Sequence, residues 1–176
     1  MSRAPVDDLN LGNEFYARIL PDVNNSHFAP MWHIFSVGHL VAVDLDRIAR
    51  RFGLSFADIH LLGTVRIERD TPLRATDLTR TLHVSNAVLS TRIQKLVDAG
   101  LLIRERIASD RRAYTLTMTA RGTETVDAAI RAVASDARIA HHLQKLAPAD
   151  RDAITRLIGG LHEQLDREFI AAERNS

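Results

Sequence analysis

Four arginines lie within residues 104–112, directly before a run of alternating strand-forming residues at 114–119. A guanidinium group forms charge-assisted and often bidentate hydrogen bonds with phosphate, so the cluster is chemically suited to a polyanion. Alternation puts Tyr114, Leu116 and Met118 on one face of a strand and three threonines on the other. This pattern predicts a hairpin with one buried face and a cationic tip.

The tip of the hairpin holds the residues with the clearest binding chemistry. The expected strands are residues 101–107 and 114–119, and the candidate contacts between them are Asp110, Arg111 and Arg112. Arginines at such a tip can follow a phosphate backbone or enter a narrow A·T-rich minor groove. Asp110 either orients Arg112 by hydrogen bonds or forms a surface ion pair, which contributes about 0–1 kcal/mol.

The positive charge is concentrated in the centre of the chain. The whole sequence has a formal net charge of +1, whereas residues 73–122 carry nine Lys/Arg against four Asp/Glu and are +5. The remainder is therefore −4. A basic centre flanked by acidic arms is a polarised molecule, and this polarity is the electrostatic footprint of nucleic-acid binding.

Two short helices are expected immediately before the hairpin. The first covers residues 76–82, and the second begins at the N-cap Ser85 and ends near Gly100. Two helices joined by a short turn and followed by a hairpin form a winged helix-turn-helix, whose second helix enters the major groove of DNA.

Apolar residues at helical spacing, Leu89, Ile93 and Leu96, would face the core and turn the polar residues outward. Asn pairs bidentately with adenine, and a cation further along a helix suits phosphate. The alternative is that Ser85 is only a cap and the others a solvated face. The candidate contacts outside the hairpin are Arg74, Ser85, Asn86, Ser90, Thr91 and Lys95.

The flanking segments predict a mainly α protein with a small β-hairpin wing. Residues 1–27 read as an N-terminal extension with an amphipathic piece at 9–20, and 54–122 as the winged helix-turn-helix lobe. Residues 28–53 and 123–173 read as helical dimerisation arms. A helix is expected at 28–52, another from the Ser55 cap to about residue 68, one after Gly122 with its stripe running through Ala137, and one from Pro148.

The composition predicts a cytoplasmic protein outside the membrane. There is no cysteine, which favours a reducing compartment, and the N-terminus lacks the apolar core of a signal peptide. Residues 23–43 carry no charge, but their apolar part begins only at Phe28 and is interrupted by polar residues. Since a spanning helix needs roughly 20 apolar residues, we expect a helix buried in protein.

Catalytic and metal chemistry find little support in the sequence. No nucleophile-elbow, phosphate-loop or zinc-protease motif is present, and the eight histidines lack the spacing of a tetrahedral site. We therefore expect no enzyme activity, no cofactor and no metal site. A metal-responsive regulator and a winged helix used purely for protein interaction remain the alternatives, and the latter would bind DNA without steep salt dependence.

The central 50 or so residues resemble the winged-helix core of MarR-type bacterial regulators. The motifs that carry the resemblance are Asp110-Arg111-Arg112 followed by Met118-Thr119-Ala120-Arg121-Gly122, where the family reads D-R-R and L-T-x-x-G, and the run from Leu96 to Leu102. The resemblance implies a homodimer on a pseudo-palindromic DNA operator, usually a repressor released by a small molecule. Apolar stripes in both arms independently favour a dimer, because a lone winged helix has no core in which to bury them.

The resemblance also implies an effector pocket between the first helix, the DNA-binding lobe and the dimer arms. A cleft of this kind would suit an aromatic or acyl carboxylate. The other interpretation is that the aromatic residues are interface core and the histidines bond locally. The candidate pocket residues are Trp32, His33, Phe35, Ser36 and His39 on one helix and His60 on the next.

Overall fold

The computed structural model describes residues 4–68, 73, 75–107 and 110–174 of the chain. It divides into two compact units, Met1–Asp44 and Leu45–Ser176, and each is described by itself. The described residues form eight α-helices and one two-stranded sheet. The helices are α1 Pro5–Ile19, α2 Phe28–Ala49, α3 Phe56–Ile67, α4 Ala75–Leu82, α5 Asn86–Asp98, α6 Ala120–Asp136, α7 Arg138–Lys145 and α8 Pro148–Arg174. The strands are β1 Leu102–Ile107 and β2 Asp110–Met118.

The first unit contains α1 and most of α2. Helix α1 begins four residues before the amphipathic piece predicted at 9–20, because Pro5 occupies its first turn, where a missing N–H costs nothing. Gly12 lies against the Phe28 ring, so the two helices approach closely. The Tyr16 ring packs on Phe28 with centroids 5.2 Å apart, and its hydroxyl lies 3.2 Å from His27 Nε2.

Helix α2 ends at Ala49, three residues before the predicted end at residue 52, and the predicted stop at Gly53 is confirmed. A 3-10 turn, Arg50–Phe52, follows it, and Gly53 stops the chain with a left-handed φ of 71° that favours glycine. In the single chain the first part of this helix is exposed, since Phe35 is 72% and Leu40 is 67% exposed, whereas Ile48 is fully buried. Among the described residues, the helix Phe28–Phe52 is long and apolar enough to span a membrane by length and composition alone, a test that core helices and signal sequences also pass.

The core of the second unit lies between α3, α5, α6 and the hairpin. Helix α3 begins with a capping box in which the Ser55 side chain accepts from the Asp58 N–H and the Asp58 carboxylate accepts from the Ser55 N–H. Leu89, Ile93 and Leu96 of α5 are buried to 1% exposure or less, as their spacing predicts. They form one cluster with the α3 residues Leu61 and Leu62, together with the hairpin and α6 residues Tyr114, Leu116, Val126 and Ala129.

The hairpin has the predicted faces but a longer second strand. Tyr114 and Leu116 are 7% and 6% exposed, whereas Thr117 on the other face is exposed. Strand β2 begins at Asp110, which pairs with Ile107 across an irregularity in register. Residues 110–113 therefore belong to the strand, and their prediction as a connecting loop is wrong. Residues 108 and 109 lie outside the described residues.

The C-terminal part has one more break than predicted. Helix α6 begins before Gly122, because the Thr119 hydroxyl caps it by accepting from the Gly122 N–H at 2.9 Å. The chain turns extended at Ala137 (ψ 122°), so the single stripe predicted through Ala137 is divided into α6 and α7. Helix α8 begins at Pro148, as predicted. It carries a row of exposed apolar side chains, Ile154, Leu157, Ile158, Leu161, Leu165 and Phe169.

Candidate DNA interface

The outer face of α5 carries the polar residues selected from the sequence. Ser85 is an N-cap whose hydroxyl accepts from the Val88 N–H at 3.3 Å. The Thr91 hydroxyl donates to the Ala87 carbonyl at 3.0 Å, so its proton is committed to the helix and its oxygen remains an acceptor. The structure brings five predicted residues together as exposed side chains on this one helix: Ser85, Asn86, Ser90, Thr91 and Lys95.

Lys95 has a partner that the sequence did not reveal. Its ammonium lies 2.6 Å from the carboxylate of Asp58 on α3, which is buried to 3% exposure of the side chain. Arg92 Nε lies 3.7 Å from the other oxygen of the same carboxylate. Lys95 therefore joins α5 to α3 while its side chain remains 54% exposed, and its role as a phosphate contact stays a prediction.

The electrostatics of Asp58 follow from these contacts. Burial by itself raises the pKa of this carboxyl, but the hydrogen bond from Lys95 and the interactions with Ser55 outweigh it, so the pKa lies below its ordinary value. The ionised carboxylate balances part of the charge of Lys95 and Arg92. It fixes the turn of α5 that faces α3.

Further along α5, Gln94 and Asp98 were missing from the sequence prediction. The Gln94 amide donates to the Asp98 carboxylate at 2.8 Å. Both side chains are exposed and border a shallow concavity with Ser90, Thr91 and Lys95. The signal that could have found Gln94 is its i+4 spacing from Ser90, which puts the two residues on the same face.

The cationic end of the hairpin is described only in part. Asp110, Arg111 and Arg112 lie at the start of β2, and their side chains, like residue Arg74 as a whole, lie outside the described residues. Arg104 of β1 is placed: its guanidinium lies 4.2 Å from the centroid of the Tyr114 ring, a cation–π contact. Burial raises the pKa of the Tyr114 hydroxyl, partly offset by the Arg104 charge.

The root of the hairpin is fixed to α6 by Thr119. The Thr119 hydroxyl donates to the Gly100 carbonyl at 2.9 Å, and the Thr119 N–H donates to the Leu101 carbonyl at 3.2 Å. A Cβ on Gly122 would lie 2.1 Å from the Leu101 oxygen, so only glycine fits there. The base of the wing and the start of α6 are consequently packed closely against each other.

The predicted effector residues are divided between the two units. Trp32 is half-buried and stacks on Phe28 with centroids 6.2 Å apart, whereas His33, Phe35 and His39 are exposed. These residues and the half-buried Ser36 belong to the first unit, and His60 belongs to the second.

The second unit contains a groove of its own, about 460 Å³ in volume, between α3, α4 and α6. Of the six residues predicted for the effector pocket, His60 alone lines it. Its lining residues are Phe56, Ile59, His60, Gly63, Thr64, Ile67, Glu68, Thr81, Ile130 and Val133. Within the described ranges, no group of three or more His, Cys, Asp or Glu side chains is arranged to hold a metal ion.

A capped polar helix, a preceding short helix and a two-stranded wing define a winged helix-turn-helix protein. Residues 52–113 match the model of the MarR family. The transcriptional regulator PecS of Dickeya dadantii is 27% identical over 104 residues, 58% of this chain and 62% of PecS. The mouse DNA repair protein RAD51 homolog 4 is 39% identical over 77 residues, 41% of this chain and 23% of that protein. The chain thus spans less than two thirds of the length of both relatives.

Solved structures show the same fold over most of the chain. The MarR family regulator AbsC from Streptomyces coelicolor has a TM-score of 0.68 at 24% identity, covering 81% of this chain and 96% of AbsC. MepR from S. aureus in complex with DNA has a TM-score of 0.68 at 17% identity, covering 80% and 99%. CouR from Rhodococcus jostii RHA1 bound to p-coumaroyl-CoA has a TM-score of 0.64 at 18% identity, covering 77% and 90%. These structures show that the chain has the winged-helix fold of MarR-type proteins, which confirms the predicted mainly helical fold with a hairpin wing. The family match over residues 52–113 confirms the resemblance of the central segment.

Proposed function

We propose that the protein is a sequence-specific DNA-binding transcriptional regulator, a repressor that acts as a homodimer on a pseudo-palindromic operator. The observation that carries the proposal is the exposed polar face at the start of α5, from Ser85 to Thr91. The opposite face of the same helix is buried in the core. This face belongs to residues 73–122, the segment whose net charge is +5. The DNA complex of MepR, a protein of the same fold, supports this interpretation.

The residues of α5 take different roles in this proposal. Asn86 and Ser90 have free polar groups near the N-terminal end of the helix, where a recognition helix meets base edges. Ser85 and Lys95 contact phosphate, since a lysine ammonium has three donors and Asp58 uses only part of them. The Thr91 hydroxyl already donates a hydrogen bond to the Ala87 carbonyl, so it can only accept hydrogen bonds from bases.

The wing supplies the second set of contacts. Arg111 and Arg112 at the start of β2 reach the backbone or the minor groove, with Asp110 orienting Arg112, and Arg74 contacts phosphate. These roles rest on the sequence pattern alone. The placed root of the wing, locked to α6 by Thr119, gives such contacts a rigid base.

A homodimer follows from the exposed apolar row of α8. Apart from the adjacent pair Leu157 and Ile158, its members recur every three or four residues, and Leu157, Leu165 and Phe169 are 57%, 52% and 65% exposed. Such a seam is typical of helices that pair, and a water-exposed apolar row of this length is unfavourable in a monomer. Two-fold pairing would place two recognition helices about one DNA turn apart.

Selection of bound duplexes from a random pool tests the proposal. We expect an enriched, two-fold symmetric sequence, a dimer in solution, and an affinity that falls steeply as salt rises. Placed ahead of a reporter gene, that sequence should lower transcription when the protein is present. Failure to enrich any sequence, or binding that is indifferent to salt, would contradict the proposal and favour a protein-interaction module.

Release by a small molecule completes the proposed function, and CouR, solved with p-coumaroyl-CoA, shows that this fold can hold such a ligand. The groove between α3, α4 and α6 is the site that we assign to it. Thr81 connects the groove to α4, the helix that precedes the recognition helix, and Val133 connects it to α6. A ligand there would contact both elements and could shift one against the other.

A further inference from the structure

A glycine without a side chain lies on the wall of the groove in the second unit. Gly63 lies in the middle of the α3 face that lines it, between Ile59 and Ile67, and a Cβ added at Gly63 would meet nothing within 4 Å. Ile130 and Val133 of α6 form the opposite wall. The groove is thus a mainly apolar slot whose floor lacks a side chain.

Two aromatic side chains line one wall of the slot. The rings of Phe56 and His60, one turn apart on α3, lie nearly parallel at 21° with centroids 6.5 Å apart. Both residues line the groove. Aromatic faces prefer offset stacking against another ring, so the wall favours a planar aromatic ligand over a branched aliphatic one.

Four polar side chains line the slot: His60 and Thr81 can donate or accept hydrogen bonds, whereas Thr64 and Glu68 are acceptors. The Thr64 hydroxyl donates to the His60 carbonyl at 3.0 Å and keeps only its lone pairs for a ligand. Glu68 ends the α3 side of the groove with a carboxylate, which accepts when ionised. No lysine or arginine is among the described residues that line the groove, and the nearby Arg66 lies 3.6 Å from Asp127.

We infer that this groove takes a planar aromatic ligand bearing a cationic or hydrogen-bond-donating nitrogen, rather than the carboxylate expected from the sequence. A carboxylate in the slot would be repelled by Glu68, whereas an ammonium would pair with Glu68 while its ring lies against Phe56 and His60. The inference rests on the proposed function in treating the groove as the effector site. The chemistry of the ligand follows from the side chains that line the groove.

Three naphthalene compounds of matched ring and different head group test the ligand class. Binding of naphthylmethylammonium, naphthylmethanol and naphthoate to the full chain without DNA is measured by calorimetry at neutral pH. We expect the ammonium compound to bind about fivefold tighter than the alcohol, as an exposed ion pair allows, and naphthoate to bind weakest. Naphthoate binding as tightly as the ammonium compound would overturn the inference.

Two variants locate the binding in the groove. Gly63→Leu fills the floor and should abolish binding of all three compounds, whereas the control Gly63→Ala adds one methyl group and should retain most of it. Glu68→Gln should remove the preference for the ammonium compound over the alcohol. Unchanged binding in Gly63→Leu would place the ligand elsewhere and overturn the inference, as would an unchanged preference in Glu68→Gln.

DNA binding separates this inference from the proposed function. The wild-type protein and Gly63→Leu should bind the selected duplex equally without a compound, and naphthylmethylammonium should weaken only the wild type. Loss of duplex binding by the wild type would contradict the proposed function while leaving the calorimetric result intact. Tight groove binding with no effect on DNA would overturn the assignment of the groove as an effector site.

Discussion

The carboxylate of Asp58 and the ammonium of Lys95 lie 2.6 Å apart and join α3 to the proposed recognition helix α5. Asp58 also accepts from the Ser55 N–H at 2.9 Å, so one buried carboxylate both caps α3 and holds α5. Because Arg92 approaches the same carboxylate, the position of two α5 cations depends on a residue outside the DNA-facing helix.

Replacing this carboxylate should destabilise the fold. We expect Asp58→Asn to lower the free energy of unfolding by about 1–3 kcal/mol, the usual cost of losing a buried hydrogen-bonded charge whose partners reach solvent. Urea unfolding followed by circular dichroism measures it. Asp98→Asn, on the exposed side of α5, is the matched control and should cost less than about 1 kcal/mol. Equal losses in the two variants would count against the role of Asp58.

The same contact should make stability depend on acidic pH. The pKa of Asp58 in the fold lies below its ordinary value, so its contribution is present above the unfolded-state pKa of about 3.9 and is lost as pH falls through the folded-state pKa. Unfolding free energies between about pH 5 and pH 3 should therefore fall more steeply for the wild type than for Asp58→Asn. The pKa of Asp136 is also lowered, by hydrogen bonds from Ser135 and Arg51. The pH dependence of stability that Asp136 causes should remain in both proteins. Parallel pH profiles would refute the prediction for Asp58.

The corner between the wing and α6 should not tolerate a larger residue at position 122. Gly122→Ala places a methyl group against the Leu101 carbonyl, and relief of this clash must move the wing root or α6. We expect a loss of at least about 1–3 kcal/mol in thermal or urea unfolding, as for other overpacked sites. Gly63→Ala, a helical glycine with open space, should be neutral or gain up to about 1 kcal/mol. A Gly122→Ala protein as stable as the wild type would show that the corner is not closely packed.

A charge within the apolar row of α8 should separate the proposed dimer. Leu161 is 47% exposed in the single chain and lies in the middle of the row. Leu161→Glu would bury an unpaired charge in each subunit of a dimer, at a cost of several kcal/mol, so we expect a monomer in sedimentation and weaker DNA binding. Gln164→Glu on the same helix adds the same charge at an exposed polar position and should remain dimeric. A dimeric Leu161→Glu protein would place the interface elsewhere.

The elements that the sequence predicts well are those encoded by local spacing. The Ser55 cap, the buried row Leu89, Ile93 and Leu96, and the alternation through Tyr114 each depend on neighbours within one helix turn or one strand. The pairing of Asp58 with Lys95 joins residues 37 positions apart, so no local pattern contains it. The groove arises likewise from helices that meet only in the folded unit.

The break in the helix at Ala137 was also missed by the sequence prediction, for a different reason. The segment 136–138 has no glycine or proline, so the stripe through Val126, Ile130 and Val133 predicted a continuous helix. In the structure Asp136 pairs with Arg51 at the end of α6, and the Arg47 guanidinium donates to the Asp136 carbonyl at 3.4 Å. These contacts satisfy the end of the helix, and they come from a distant part of the chain.

The central claim, that α5 reads bases, is tested most directly by the affinities of wild type, Asn86→Ala and Lys95→Ala for the selected duplex and for its single-base variants. We predict that the wild type discriminates against a wrong base by about 1–3 kcal/mol at each contacted position. Asn86→Ala should lose that discrimination at one position in each half-site, whereas Lys95→Ala should weaken binding to all duplexes alike. A wild-type protein that binds every duplex equally, or an Asn86→Ala protein with an unchanged base profile, would contradict the claim.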